Sequence, residues 1–96
     1  MFDIEIFQTA TADLQNAYDW YEEQSIGLGE RFATEVDEYL ILVSNNPYQF
    51  AVQFSGRYRF ALLHHFPFRI VYSIDEVNGI VYISSIFHTS RNPQRF

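Results

Sequence analysis

Apolar residues recur at helical spacing between residues 10 and 43 and in alternation on either side, which restricts the chain to a strand, then helices, then strands. The opening Phe2-Asp3-Ile4-Glu5-Ile6 alternates as a half-buried strand does. Thr9 or Thr11 is the candidate N-cap of a first helix, in which Ala10, Leu14, Ala17, Tyr18 and Tyr21 form the apolar stripe. Asp13, Gln15, Asn16, Asp19 and Glu22 should face outward, and the helix should end near Gln24. After a turn at residues 25–29 a second stripe runs through Leu28, Phe32, Val36, Tyr39, Leu40 and Val43. It stops at Asn45-Asn46-Pro47, because the residue before a proline is pushed out of helical geometry. Residues 48–56 read as a loop, and 57–65, 68–75 and 80–88 as strands. The expected fold is α+β: an N-terminal strand, a helical hairpin, then a three-stranded antiparallel sheet with the helices on one face.

Ninety-six residues suffice for one domain, here 1–96, and leave no room for a second. A hydrophobic fraction of 48% with 10 Phe and 7 Tyr can fill a core, which excludes a disordered chain. The absence of Cys excludes a disulfide framework and a thiolate metal site. Three His are a poor zinc set, so no metal and no cofactor is expected. No apolar run approaches the roughly 20 residues of a membrane span, and no basic, apolar leader opens the chain. A cytoplasmic protein without a membrane partner is expected.

The net charge of −6 hides an asymmetry. Residues 1–38 hold ten acids against Arg31, a net −9. Residues 39–96 hold Asp75 and Glu76 against Arg57, Arg59, Arg69, Arg91 and Arg95, a net +3. Every formal cation is Arg, whose planar fork matches a phosphate or a carboxylate.

Asn78-Gly79 is the preferred dipeptide of a two-residue hairpin turn. Such a turn pairs Asp75 with Tyr82, Ser73 with Ser84, Val71 with Ile86 and Arg69 with His88. Phe68, Ile70, Tyr72 and Ile74, with Val81, Ile83, Ser85 and Phe87, should then meet the helices. In the preceding strand, burial assigns Tyr58, Phe60, Leu62, His64 and Phe66 to the core, leaving Arg57, Arg59 and His65 on the open face with Arg69 and His88. This requires a three-residue turn at 66–68; a two-residue turn at Phe66-Pro67 would present His64 instead. Arginines beside a histidine on an open sheet are equipment for a phosphodiester: guanidinium groups stabilise phosphate charge and imidazole moves protons near neutral pH. Singly, each is equally a solvated edge residue covering apolar surface with its stem.

Residues 66–74 and 86–93, with the helix at 17–24, the Gly27-Leu28-Gly29 break, the Asn46-Pro47 stop and the Arg59 strand, occur in the order seen in RelE/ParE toxins of bacterial type II toxin-antitoxin systems, which the chain resembles nearly end to end. The resemblance implies a toxin neutralised by a cognate antitoxin. RelE-like members cut mRNA on the ribosome by attack of a 2′-hydroxyl on the adjacent phosphate, without metal; ParE-like members poison DNA gyrase. On the first reading the chain is an RNA endonuclease in which Arg69 and Arg59 clamp phosphate, His88 is the general acid or base and His65 a second proton carrier. Arg57, Arg91, Arg95 and Tyr82 would then hold RNA. The family's glutamate base and catalytic lysine have no counterpart, since no acid lies between Glu38 and Asp75 and there is no Lys. That supports the alternatives: a non-catalytic, gyrase-inhibiting toxin, or an inactive relative that binds only antitoxin.

Overall fold

The computed structural model describes residues 1–53 and 56–90. Strand β1 (Asp3–Ile6) leads into helices α1 (Gln8–Gln24) and α2 (Leu28–Asn45), a 3-10 turn (Pro47–Gln49), and strands β2 (Val52–Gln53), β3 (Tyr58–Leu62), β4 (Phe68–Asp75) and β5 (Ile80–His88). All five strands form one sheet in the order β1-β5-β4-β3-β2, with β1 parallel to β5 and the other pairs antiparallel. The three-stranded expectation thus gains β2 within the predicted loop, and β1 joins the same sheet at its edge.

Neither threonine caps α1. The helix begins after Phe7 without a side-chain cap, and the Thr9 hydroxyl donates instead to the Ser84 carbonyl at 2.9 Å. At the hairpin bend Gly27 has φ 90°, which a residue with a Cβ rarely adopts. At Gly29 a Cβ would lie 2.6 Å from the Tyr18 carbonyl oxygen, so only glycine lets the helices approach this closely. The Glu22 carboxylate accepts from the backbone N–H groups of Gly27 and Glu30, both at 3.2 Å, and so caps the positive end of α2 rather than pointing to solvent.

The main core lies between the hairpin and one sheet face. Ala10, Ala17, Tyr21, Phe32, Val36 and Val43 pack on Ile70, Tyr72, Val81, Ile83 and Ile86. Tyr21, Phe32, Phe66 and Phe68 interlock, their closest ring centroids 4.9 Å apart. Asn46 halts α2 as the Pro47 signal predicts, and its side chain accepts from the Tyr48 N–H at 3.2 Å. The Tyr72 hydroxyl is buried in the core and donates to the Pro47 carbonyl at 2.6 Å, tying the sheet to that stop. Its pKa is pushed up to about 12 by burial, which penalises the phenolate.

Two features of the sheet overturn the sequence-derived register. The β4–β5 turn spans residues 76–79, four residues rather than two, with Asp75 opposite Ile80. Asp75 closes it by accepting from Asn78, at 2.8 Å from the side-chain amide and 3.1 Å from the backbone N–H, and these bonds hold its carboxyl below the ordinary range. A longer turn of the same parity leaves every side chain on its expected face. The decisive feature is the register shift between Val71 and Tyr72: Tyr72 pairs with Ile83, but Val71 pairs with Ser85, so Ser84 is an extra residue in β5. One extra residue exchanges the faces of the strand past the bulge. Val81 and Ile83 meet the helices as expected and the Ser85 hydroxyl still reaches Asp13 of α1, but Phe87 does not meet them, and Ile86 takes the core position.

Strand β3 is also inverted. Arg59 pairs with Tyr72, Phe60 with Val71, Ala61 with Ile70 and Leu62 with Arg69, so Phe60 and Leu62 lie on the open face and Ala61 on the helix face. Burial misassigned the phase because the open face carries an apolar cluster of its own, Phe60, Val71 and Phe87 with Tyr58 against them.

Candidate functional site

The expected cluster of guanidinium and imidazole groups is dispersed. Phe68 pairs with His88 and Arg69 with Phe87, and paired residues share a face while neighbours alternate. Arg69 and His88 therefore project from opposite surfaces of the β4–β5 hairpin. Arg69 lies on the open face, half-exposed, its guanidinium 5.6 Å from the centroid of the Phe60 ring and its neighbour across the strand the exposed Leu62. That contact is a cation–π pair, which orients the guanidinium without consuming its hydrogen bonds.

Arg59 is committed to structure. Its guanidinium donates to the carbonyls of Phe50 at 2.6 Å and Tyr48 at 3.2 Å and stacks 5.4 Å from the Tyr48 ring, bracing the segment after the 3-10 turn. Arg57 is exposed and lies 5.8 Å from the Tyr58 ring. Tyr82 sits opposite Ser73, its ring 5.6 Å from that of Phe7. Arg91 and Arg95 lie outside the described residues.

His65 and His64 leave the sheet, because β3 ends at Leu62. The exposed His65 is held against α2: Glu35 accepts from its backbone N–H at 2.9 Å and from its Nδ1 at 2.6 Å. Burial alone would raise the Glu35 pKa, but these hydrogen bonds outweigh it and hold the carboxyl below its ordinary 4.5. Glu35 falls on the stripe of Leu28, Phe32 and Tyr39, a polar group at a core-facing position, and that spacing was the sequence signal for it.

His88 lies under α1, 5.3 Å from the Phe68 ring between centroids. Its Nδ1 accepts from the Ser90 backbone N–H at 3.1 Å, which in the neutral ring places the proton on Nε2. It lines a cleft of about 580 Å³ with Asp13, Asn16, Ala17, Trp20, Tyr21, Pro67, Phe68 and Ile86. Asp13, expected to face outward, turns toward the sheet: one carboxylate oxygen accepts from the Ser85 hydroxyl and from the Ile86 backbone N–H, both at 3.1 Å. It thereby satisfies a backbone N–H two residues past the extra residue of β5. Three residues from Ala10 and four from Ala17, Asp13 lies on the buried stripe, and its spacing was legible in the sequence.

Among the described residues no group of three or more His, Asp or Glu side chains could hold a metal ion, and no helix is long and apolar enough to cross a membrane.

The architecture is shared with known toxins. At 18% identity, a chain of the chromosomal ParDE toxin-antitoxin system of P. aeruginosa superposes with a TM-score of 0.81, over 94% of this chain and 98% of that one. A chain of the intact E. coli RelBE toxin-antitoxin complex gives 0.72 at 16% identity, over 95% and 100%. The isolated E. coli RelE toxin gives 0.72 at 14%, over 98% and 90%. At these identities the likeness establishes the fold. No curated protein matches the sequence. One family profile does, that of the ParE toxin of the type II toxin-antitoxin system parDE, and it spans residues 4–93. With that match running nearly end to end, the chain belongs to the ParE toxin family of type II toxin-antitoxin systems.

Proposed function

We propose that this toxin acts by binding a protein target, DNA gyrase, and not by cutting RNA, and that a cognate antitoxin neutralises it. The observation that carries this reading is the separation of Arg69 and His88 onto opposite surfaces of one hairpin. In-line attack on a phosphodiester needs a phosphate clamp and a proton carrier within reach of the same few atoms, at about 3 Å each. Here the clamp candidate faces one side of the sheet and the imidazole the other. Arg59 holds one terminal nitrogen on two backbone carbonyls and its guanidinium on the Tyr48 ring, and His65 is turned toward α2 by Glu35. The family to which the chain belongs supports the same reading, since ParE-like members act on gyrase. Known relatives were solved within toxin-antitoxin systems, which supports an antitoxin partner.

On this reading the open face is a binding surface, with Arg69 and the exposed Leu62 side by side on it. Purified toxin should inhibit DNA supercoiling by gyrase, and Arg69→Ala should weaken that inhibition by about tenfold or more, the worth of one charge-assisted contact. RNA incubated with the toxin, with or without ribosomes, should stay intact. RNA fragments ending in a 2′,3′-cyclic phosphate, abolished by His88→Ala, would overturn the proposal. Co-expression with the product of the adjacent open reading frame should yield a stable complex and relieve growth arrest.

A further inference from the structure

We infer that the cleft between α1 and the ends of β4 and β5 is a docking site for a cationic segment of a protein partner, anchored by an arginine side chain. This goes beyond the gyrase reading, which makes no use of the helix-covered side. The cleft has an apolar floor, formed by Ala17, Tyr21, Phe68 and Ile86, and an exposed indole at its rim, Trp20. Its volume of about 580 Å³ falls in the range of ligand clefts and leaves room for a large side chain.

Charge selects the occupant. Asp13 is the one carboxylate among the described lining residues, which include no Arg or Lys. Only one of its oxygens is engaged by Ser85 and Ile86, so the other has no partner among the described residues. The Asn16 amide beside it also makes no hydrogen bond among them. Asp19 and Glu23, both exposed, flank Trp20 on the same helix, within the stretch of net −9. An arginine fits each part: its stem against the aromatic floor, its guanidinium on the open oxygen of Asp13 and the Asn16 carbonyl, and its planar face over Trp20. An acidic segment would meet repulsion from Asp13 and from the flanking Asp19 and Glu23, and a purely aliphatic one would leave the carboxylate covered and unpaired.

Because Trp20 is the single tryptophan, its emission reports occupancy of the cleft. A displayed library of random twelve-residue peptides would be selected against the whole chain, and the binders synthesised. The expected binders combine Arg with aliphatic or aromatic residues and shift Trp20 emission to the blue. Each should bind Asp13→Asn, which keeps the acceptor for Ile86 but loses the charge, about tenfold more weakly. Binders that lack Arg, that leave Trp20 emission unchanged, or that bind Asp13→Asn equally well would overturn the inference. So would a Trp20 shift driven by protein concentration alone, which marks a second copy in the cleft, or displacement of the peptides by adenosine monophosphate, which marks a nucleobase site. Gyrase inhibition is measured separately, so failure of either reading leaves the other standing.

Discussion

The two faces of the sheet bury aromatic side chains in different ways. On the helix-covered face Phe32, Phe66, Phe68 and Tyr72 belong to a core of fifteen buried residues among those described. On the open face Phe60, Val71 and Phe87 form a small cluster, with a half-exposed arginine over it. The larger cluster supplies most of the folding free energy. The smaller one fixes where a guanidinium points. Apolar character alone therefore cannot say which way a strand of this chain faces.

The largest expected effect tests that ranking. Phe32→Ala should cost about 4 kcal/mol, because it opens a cavity that rigid neighbours on every side cannot fill. Phe60→Ala should cost roughly half as much, since a small cluster can collapse further; urea unfolding of both variants decides, and equal losses would break the comparison.

Next in size is the lock that sets the β5 phase. Asp13→Ala strands the Ile86 N–H and the Ser85 hydroxyl and should cost about 2 kcal/mol, with Asp13→Asn milder because it retains the acceptor. Tyr72→Phe should cost about 1 kcal/mol through the bond to Pro47. That tyrosine also carries a pH signature. Its folded pKa of about 12 lies above the ordinary 10, so its contribution is complete below pH 10 and is lost as the pH rises toward 12. The stability gap between the parent and Tyr72→Phe should close over that window.

At the acid end the sign reverses. The Glu35 pKa is lowered, so its contribution is present above its ordinary 4.5 and fades as the pH falls through the lower folded value. Melting curves of the parent and Glu35→Gln should differ near neutrality and converge in acid. The smallest effect belongs to the open face: Arg69→Ala should cost about 0.5 kcal/mol, the worth of an exposed cation–π contact.

Both helices, their break at Gly27 and the stop at Pro47 were legible because period and punctuation agree there. The β4 phase was legible too, since Phe68, Ile70 and Tyr72 outweigh Arg69, Val71 and Ser73 in apolar bulk. The β3 phase was not, because Phe60 and Leu62 are larger than Ala61 yet face outward. Nor was the extra residue at Ser84, whose partners, Thr9 and the neighbouring Asp13 lock, lie about seventy residues away in sequence. That single insertion decides the candidate site, for it alone carries His88 to the surface opposite Arg69.

Nuclear Overhauser contacts across the β4–β5 hairpin test this most directly. The fold requires contacts from the His88 ring to the Phe68 ring, with Arg69 side-chain protons touching Phe60 and Phe87. Contacts between the His88 ring and the Arg69 side chain, with none to Phe68, would contradict it.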